Sequence, residues 1–267
     1  MKMIPFPVNS GKRSGLFCLA LLLLLAGGCA PKPDTSHTVA LFDDTAEFVA
    51  SPGSGPAWEE GLGRIRQGVP AMPSGSEVSV FTMADSLNYT PRCRVAWTKN
   101  TENGKNLISA HSRRRHTEQL TTNLSALTIT MRASPVTEQT RLLETIYEML
   151  RSLHERTSSA CDKSLIVVSD MQPSTPTLTT SRIVESEAKM QECITQIERE
   201  YPPLGLNRVR VVIVYSPSMG LLQQPPIFIK RLKTFWLAFF HHLACEVEWV
   251  SPQPTPGAPR VSADPNP

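Results

Sequence analysis

The feature that most constrains the fold is an alternation. Short apolar runs rich in Val, Ile and Phe take turns with longer segments whose apolar residues recur every three or four positions. Thr38–Phe42, Glu77–Met83, Ser164–Val168, Val209–Tyr215 and Glu246–Val250 read as strands. Between them Ala57–Val69, Glu138–Leu153, Ser181–Tyr201 and Ile229–Leu243 read as helices. Leu142, Leu143, Ile146, Tyr147, Leu150 and Leu153 fall on one face of the second helix. Leu232, Phe235, Trp236, Phe239, Phe240 and Leu243 make an apolar stripe on the last, which is expected to dock on the sheet rather than on a membrane or partner. Such an alternation builds βαβ units with right-handed crossovers. It predicts an α/β chain: a doubly wound, mostly parallel sheet with helices on both faces. With 40% hydrophobic and 19% charged residues, the 267-residue chain is neither a disordered polyelectrolyte nor a multi-span membrane protein.

Residues 86–133 interrupt the pattern. Eight basic residues from Arg92 to Arg132 face only Glu102 and Glu118 there. Cys93, Val95 and Trp97 alternate with polar residues, as do Leu127, Ile129 and Met131, so both stretches read as half-exposed edge strands. Between them lies a polar excursion that contains Arg113, Arg114 and Arg115.

The two termini read as appendages to the 38–250 domain. Lys2, Lys12 and Arg13 precede an uncharged run from Gly15 to Leu25, which is too short to span a bilayer as a helix. Ala26-Gly27-Gly28-Cys29 follows. This is the shape of a secretory signal over residues 1–28. Its small residues directly before Cys29 resemble the bacterial lipobox, which implies acylation of the Cys29 thiol and cleavage ahead of it. Ala30 implies onward sorting to the outer membrane, facing the periplasm. Three basic residues and no acidic ones leave with the signal, so the formal charge of +3 becomes a balance of 24 against 24. Residues 29–37 form a short tether, and residues 251–267, with six prolines, a disordered tail. Cys93, Cys161, Cys193 and Cys245 remain in an oxidising compartment. They would permit up to two disulfides in three connectivities, the alternative being buried free thiols.

The chemistry-bearing residues stand at strand ends, where an open parallel sheet binds its ligands. Asp43, Thr45 and Glu47 follow the first strand, Asp170 follows the central one, and Thr137 and Thr140 open the helix between. On this element order and these residues the chain resembles the von Willebrand factor A-like fold, a Rossmann-like three-layer sandwich. That family carries a D-x-S-x-S metal motif after its first strand, a Thr before a middle helix and an Asp after its fourth strand. Asp43 matches, Thr45 is a conservative match, and Glu47 departs from the second Ser. Thr140 is the better match for the middle Thr, with Thr137 the alternative, and Asp170 matches the last position. The resemblance implies a site for Mg²⁺ or Ca²⁺ that accepts a carboxylate from a partner protein. The alternative is that Asp43 and Asp170 only accept backbone N–H bonds at helix starts.

No GxSxG elbow or GxxxxGK[ST] loop occurs. His241 and His242 are adjacent, so on a helix they point in different directions. The expected function is therefore a lipid-anchored, non-enzymatic protein-interaction or assembly scaffold of the cell envelope. Its alternative is an envelope docking factor whose basic 86–133 segment binds nucleic acid or anionic lipid, with Arg113, Arg114 and Arg115 as anion contacts. A hydrolase using Asp43 and Asp170 is a third reading, which lacks a visible nucleophile or base.

Overall fold

The computed structural model describes residues 35–69, 72–73, 75–83, 91–96, 110–133, 141–156, 161–173, 175, 178–206 and 209–252; within 110–133 it describes the side chains of 114, 115 and 117–126. Cys29, Thr137, Thr140, the whole of the signal, most of the tether, and all but the first residues of the Pro-rich tail lie outside the described residues.

Six strands form one sheet: β1 (Thr35–Phe42), β2 (Glu77–Thr82), β3 (Cys93–Ala96), β4 (Cys161–Ser169), β5 (Val209–Tyr215) and β6 (Glu246–Val250). Their order is β3-β2-β1-β4-β5-β6, with every neighbouring pair parallel except β2–β3. This is the expected doubly wound α/β architecture, consistent with a von Willebrand A-like three-layer sandwich. The winding reverses between β1 and β4, and that reversal locates the candidate site.

Alternation along each central strand feeds two cores, one on each side of the sheet. Leu41, Leu165, Val167, Val211 and Ile213 face one layer. It is built from α4 (Leu142–Arg156), α5 (Thr180–Glu185), α6 (Glu187–Glu200) and α8 (Pro226–His242). Ala40, Phe42, Ile166, Val168, Val212 and Val214 face the other, which holds α2 (Ser54–Gly68) and α3 (Ala110–Ala133). Two short helices, α1 (Ala46–Val49) and α7 (Met219–Leu222), sit in the loops after β1 and β5. As expected, the stripe on α8 is interior: Leu232, Phe235, Trp236, Phe239 and Phe240 are all buried. Among the described residues no helix is long and apolar enough to cross a membrane.

Four expectations need correction. First, Leu127, Ile129 and Met131 belong to the helix α3, not to a strand, and Arg113–Arg115 lie in its first turns rather than in a loop. The alternation there is produced by Thr and Ser. These tolerate a helix by turning their hydroxyls onto the carbonyl four residues back, as Thr121 does on Thr117 and Ser125 on Thr121. Burial at Leu120 and Leu124, one turn apart, holds α3 against the sheet. Cys93 and Val95 do form the expected edge strand, with buried and exposed residues alternating.

Second, Ser181–Tyr201 is not one helix. Ser186 is extended, with φ −153° and ψ 165°, and its hydroxyl accepts the Lys189 N–H at 3.1 Å. A serine that competes for backbone hydrogen bonds ends one helix and caps the next.

Third, β1 begins at Thr35, so the last residues of the expected tether are strand. Thr35 pairs with Cys161 on β4.

Fourth, the four cysteines are free. Cys93 lies on the α2/α3 side and Cys193 on the opposite side of the sheet. Cys161 starts β4 and Cys245 precedes β6; β5 lies between them and they are two residues out of register, which puts them about 11–12 Å apart against the roughly 7 Å limit for a disulfide. Burial raises all four thiols, Cys245 to about 12, so they behave as small apolar side chains.

Candidate functional site

Asp43 is the first residue after β1 and is only 1% exposed. Its N–H donates to the Val168 carbonyl at 2.8 Å, which extends the β1–β4 ladder by one rung and aims the carboxylate along the sheet edge. Oδ1 accepts both the Thr45 N–H (3.0 Å) and the Thr45 hydroxyl (2.7 Å). Oδ2 accepts the Ser169 hydroxyl at 2.7 Å, and that hydroxyl oxygen in turn accepts the Met171 N–H at 2.9 Å. A chain of hydrogen bonds thus runs from the loop after β1 to the loop after β4.

Asp170 follows β4 and is 4% exposed. Its Oδ1 accepts the Gln172 N–H at 3.1 Å, and its Oδ2 accepts the Gln172 side-chain amide at 2.8 Å. That amide nitrogen also reaches Ser218 Oγ at 2.8 Å and Glu47 Oε1 at 3.2 Å. Ser218 caps α7, and its hydroxyl accepts the Leu221 N–H. Glu47 lies exposed on α1. One carboxamide therefore joins the loops after β1, β4 and β5.

Burial dominates the electrostatics. It raises the Asp43 carboxyl above the usual range, against the pull of the hydrogen bonds from Ser169 and Thr45. Burial raises Asp170 to about 7, and the charge of Asp43 adds to the effect. Ser169 pairs with Tyr215 across β4 and β5, so Tyr215 shares this rung of the sheet. Its hydroxyl is buried without a hydrogen-bond partner among the described residues and is raised by burial and by Asp170.

Of the sequence-derived candidates, the structure brings Asp43, Thr45, Glu47 and Asp170 together around one reversal of the sheet. Thr140 lies outside the described residues. Arg114 and Arg115 are exposed on α3, on another element, and Arg114 donates to Glu118 at 2.8 Å. Arg113 starts the same helix, with its side chain outside the described residues. Sequence reasoning passed over Ser169 as a partner of Asp43, and missed Gln172, Ser218 and Tyr215. Ser169 directly precedes Asp170 at a strand end, which was a usable signal. Gln172 carried none, because its partners are distant in the chain.

The chain matches no family model, and no curated protein is similar to it. Among solved structures it is similar to the manganese-loaded TRAP protein of Plasmodium vivax, with 12% identity over 76% of this chain and 73% of that one. The TM-score is 0.34, so this likeness carries no argument about the site.

The donor chemistry can be tested against Mg²⁺ or Ca²⁺ directly. Carboxylate and hydroxyl oxygens are the correct kind, and such ions need several of them at about 2.0–2.6 Å. Here each oxygen of Asp43 and Asp170 already accepts a hydrogen bond from the chain. The position between Glu47, Asp170 and Ser218 is filled by an N–H donor. Among the described residues no group of three or more His, Cys, Asp or Glu is disposed to hold a metal. Among the described residues, the expected ligand oxygens of Asp43 and Asp170 are engaged by the chain's own N–H and O–H donors.

Proposed function

We propose that the protein is a lipid-anchored component of the bacterial cell envelope that acts as a non-enzymatic protein-interaction or assembly scaffold. It would meet its partner at the carboxyl ends of β1, β4 and β5. One observation carries this reading. Beside the polar lattice formed by buried Asp43, Ser169 and Asp170 and half-buried Gln172, large apolar side chains stand in solvent on α7, which Ser218 caps: Met219 (49% exposed) and Leu222 (53%). A rigid, hydrogen-bonded floor with an exposed apolar rim is the layout of a recognition surface. The hydroxyls beside Asp43, those of Thr45 and Ser169, both donate to its carboxylate and are tied into the lattice.

The anchor rests on the signal-like segment and on Cys29. The basic segment gains less support for nucleic acid or anionic lipid, since Arg114 is already engaged by Glu118.

Affinity capture from solubilised membranes tests the reading with wild type, Leu222→Glu and Asp170→Ala side by side. The expected result is one set of partners held by wild type and released by both variants. Partners retained by both variants would refute this face as the binding surface. Palmitate labelling that is lost in Cys29→Ala tests the anchor separately.

A further inference from the structure

The Gln172 carboxamide raises a question that the lattice alone does not answer. Its nitrogen is surrounded by oxygens from three loops: Glu47 Oε1, Asp170 Oδ2 and Ser218 Oγ. Once Asp170 is ionised, above about pH 7, carboxylates face the amide as acceptors only, and the atom that meets them is the NH₂ group. Two hydrogens shared among three oxygens place a concentrated positive dipole at the meeting point of α1, the β4 loop and α7. Glu47 is also held close to α7, since a Cβ at Gly220 would lie 3.3 Å from its Oε1.

We propose that Gln172 is a built-in substitute for a cation, and that the strand-end site works without a metal ion. A divalent ion bridging the same oxygens would occupy the space of Nε2 at shorter distances than a hydrogen bond, so the two exclude each other. The carboxamide does what the ion would do: it satisfies acceptors on separate loops and fixes them relative to one another. Because it is covalently part of the loop after β4, it is present at every ionic composition. The partner is then met by the assembled surface itself, with no open coordination position. This consequence for recognition rests on the proposed function above; the substitution of amide for ion does not, and it is tested on the protein alone.

The experiment measures thermal unfolding of wild type, Gln172→Ala and Gln172→Asp in EDTA, MgCl₂, CaCl₂ and MnCl₂, with Mn²⁺ binding followed by electron paramagnetic resonance. Wild type is expected to melt identically in all four and to leave Mn²⁺ free. Removal of the amide vacates the position, and Gln172→Asp adds a carboxylate to it. Either variant is then expected to gain an ion-dependent rise in melting temperature, which a further Asp170→Asn substitution abolishes. Mn²⁺ binding by wild type that is lost in Asp170→Asn would overturn the proposal. So would Gln172→Ala and Gln172→Asp that fold yet remain as indifferent to metal as wild type. If neither variant folds, the wild-type resonance titration alone decides. Partner capture plays no part in these readouts, so the amide can fail while the recognition face stands, and the reverse.

Discussion

The Trp236 indole N–H donates to the Met171 carbonyl at 2.7 Å, so a helix of the core holds the residue that separates Asp170 from Gln172. Met171 is fully buried and has a φ of 57°, a left-handed conformation that a side-chain-bearing residue adopts only at a cost. The conformation persists because it is tied at both ends: the Met171 N–H goes to Ser169 Oγ and its carbonyl goes to Trp236. The kink turns the chain sharply after β4 and lets Asp170 and Gln172 bond each other. Trp236→Phe keeps most of the apolar bulk but leaves the Met171 carbonyl buried without a donor. The expected loss of stability is about 2–4 kcal/mol by denaturant unfolding. The amide of Gln172 should also exchange faster with solvent. An unchanged Gln172 exchange rate would show that Trp236 does not position the loop.

The pH dependence has a definite sign. The folded carboxyl of Asp170 is raised to about 7, above its value in an unfolded chain. Between about pH 4 and 7 the native state therefore holds a proton that the unfolded state has released. Its contribution to stability is fully present below that window and is lost as pH rises through it. Asp43 is shifted in the same direction, also chiefly by burial. The opposite sign belongs to Glu77 and Glu248, which Arg94, Arg64 and Arg210 hold below the usual range. The clean measurement is thus a difference. Asp170→Asn, which is neutral at every pH, should gain on wild type between pH 5 and pH 8. A parallel pair of stability curves would rule out Asp170 as the titrating group.

Much of this architecture was legible because it depends on local pattern. The apolar stripes that became α4 and α8 are buried on one side of the sheet and the β-branched runs that became β4 and β5 on both, and periodicity reports burial directly. Periodicity failed at 127–131, where threonines in a helix imitated a strand, and at Ser186, where a capping hydroxyl overrode a continuous stripe. At the site, Asp43 and Asp170 could be anticipated, since strand ends at the winding reversal are a property of topology. Gln172 could not. Its contacts reach back 125 residues to Glu47 and forward 46 to Ser218, and only the folded sheet brings these together.

Two glycines of α2 should respond in opposite ways to alanine. A Cβ at Gly61 would lie 2.5 Å from Val168 Cγ2 and 3.3 Å from the Phe42 ring, so the helix touches β1 and β4 through bare backbone. Gly61→Ala forces the helix off the sheet beside Asp43 and should cost about 1–3 kcal/mol. At Gly63 a Cβ would find nothing within 4 Å, so Gly63→Ala meets no obstacle and gains helix propensity. It should stabilise by about 0.5–1 kcal/mol. Denaturant midpoints of the two variants test both signs together. Destabilisation by both would mean that α2 is limited by something other than its contact at Gly61.

Tyr215 tests how completely the site is satisfied. Its hydroxyl is buried on the rung of Ser169 and finds no acceptor or donor among the described residues, while its ring packs on Trp249 at 5.2 Å between centroids. Removing a polar atom that has no partner recovers its desolvation cost and leaves the ring contact in place. Tyr215→Phe should therefore be neutral or stabilising by about 1 kcal/mol, in contrast to the usual loss when a buried hydrogen bond is deleted. Because the hydroxyl does not donate to Asp170, the substitution should also leave the Asp170 titration, followed by NMR, close to its wild-type midpoint. A destabilised Tyr215→Phe with a raised Asp170 midpoint would reveal a hydrogen bond from the phenol to that carboxylate, which would place Tyr215 within the polar lattice that joins the three loops.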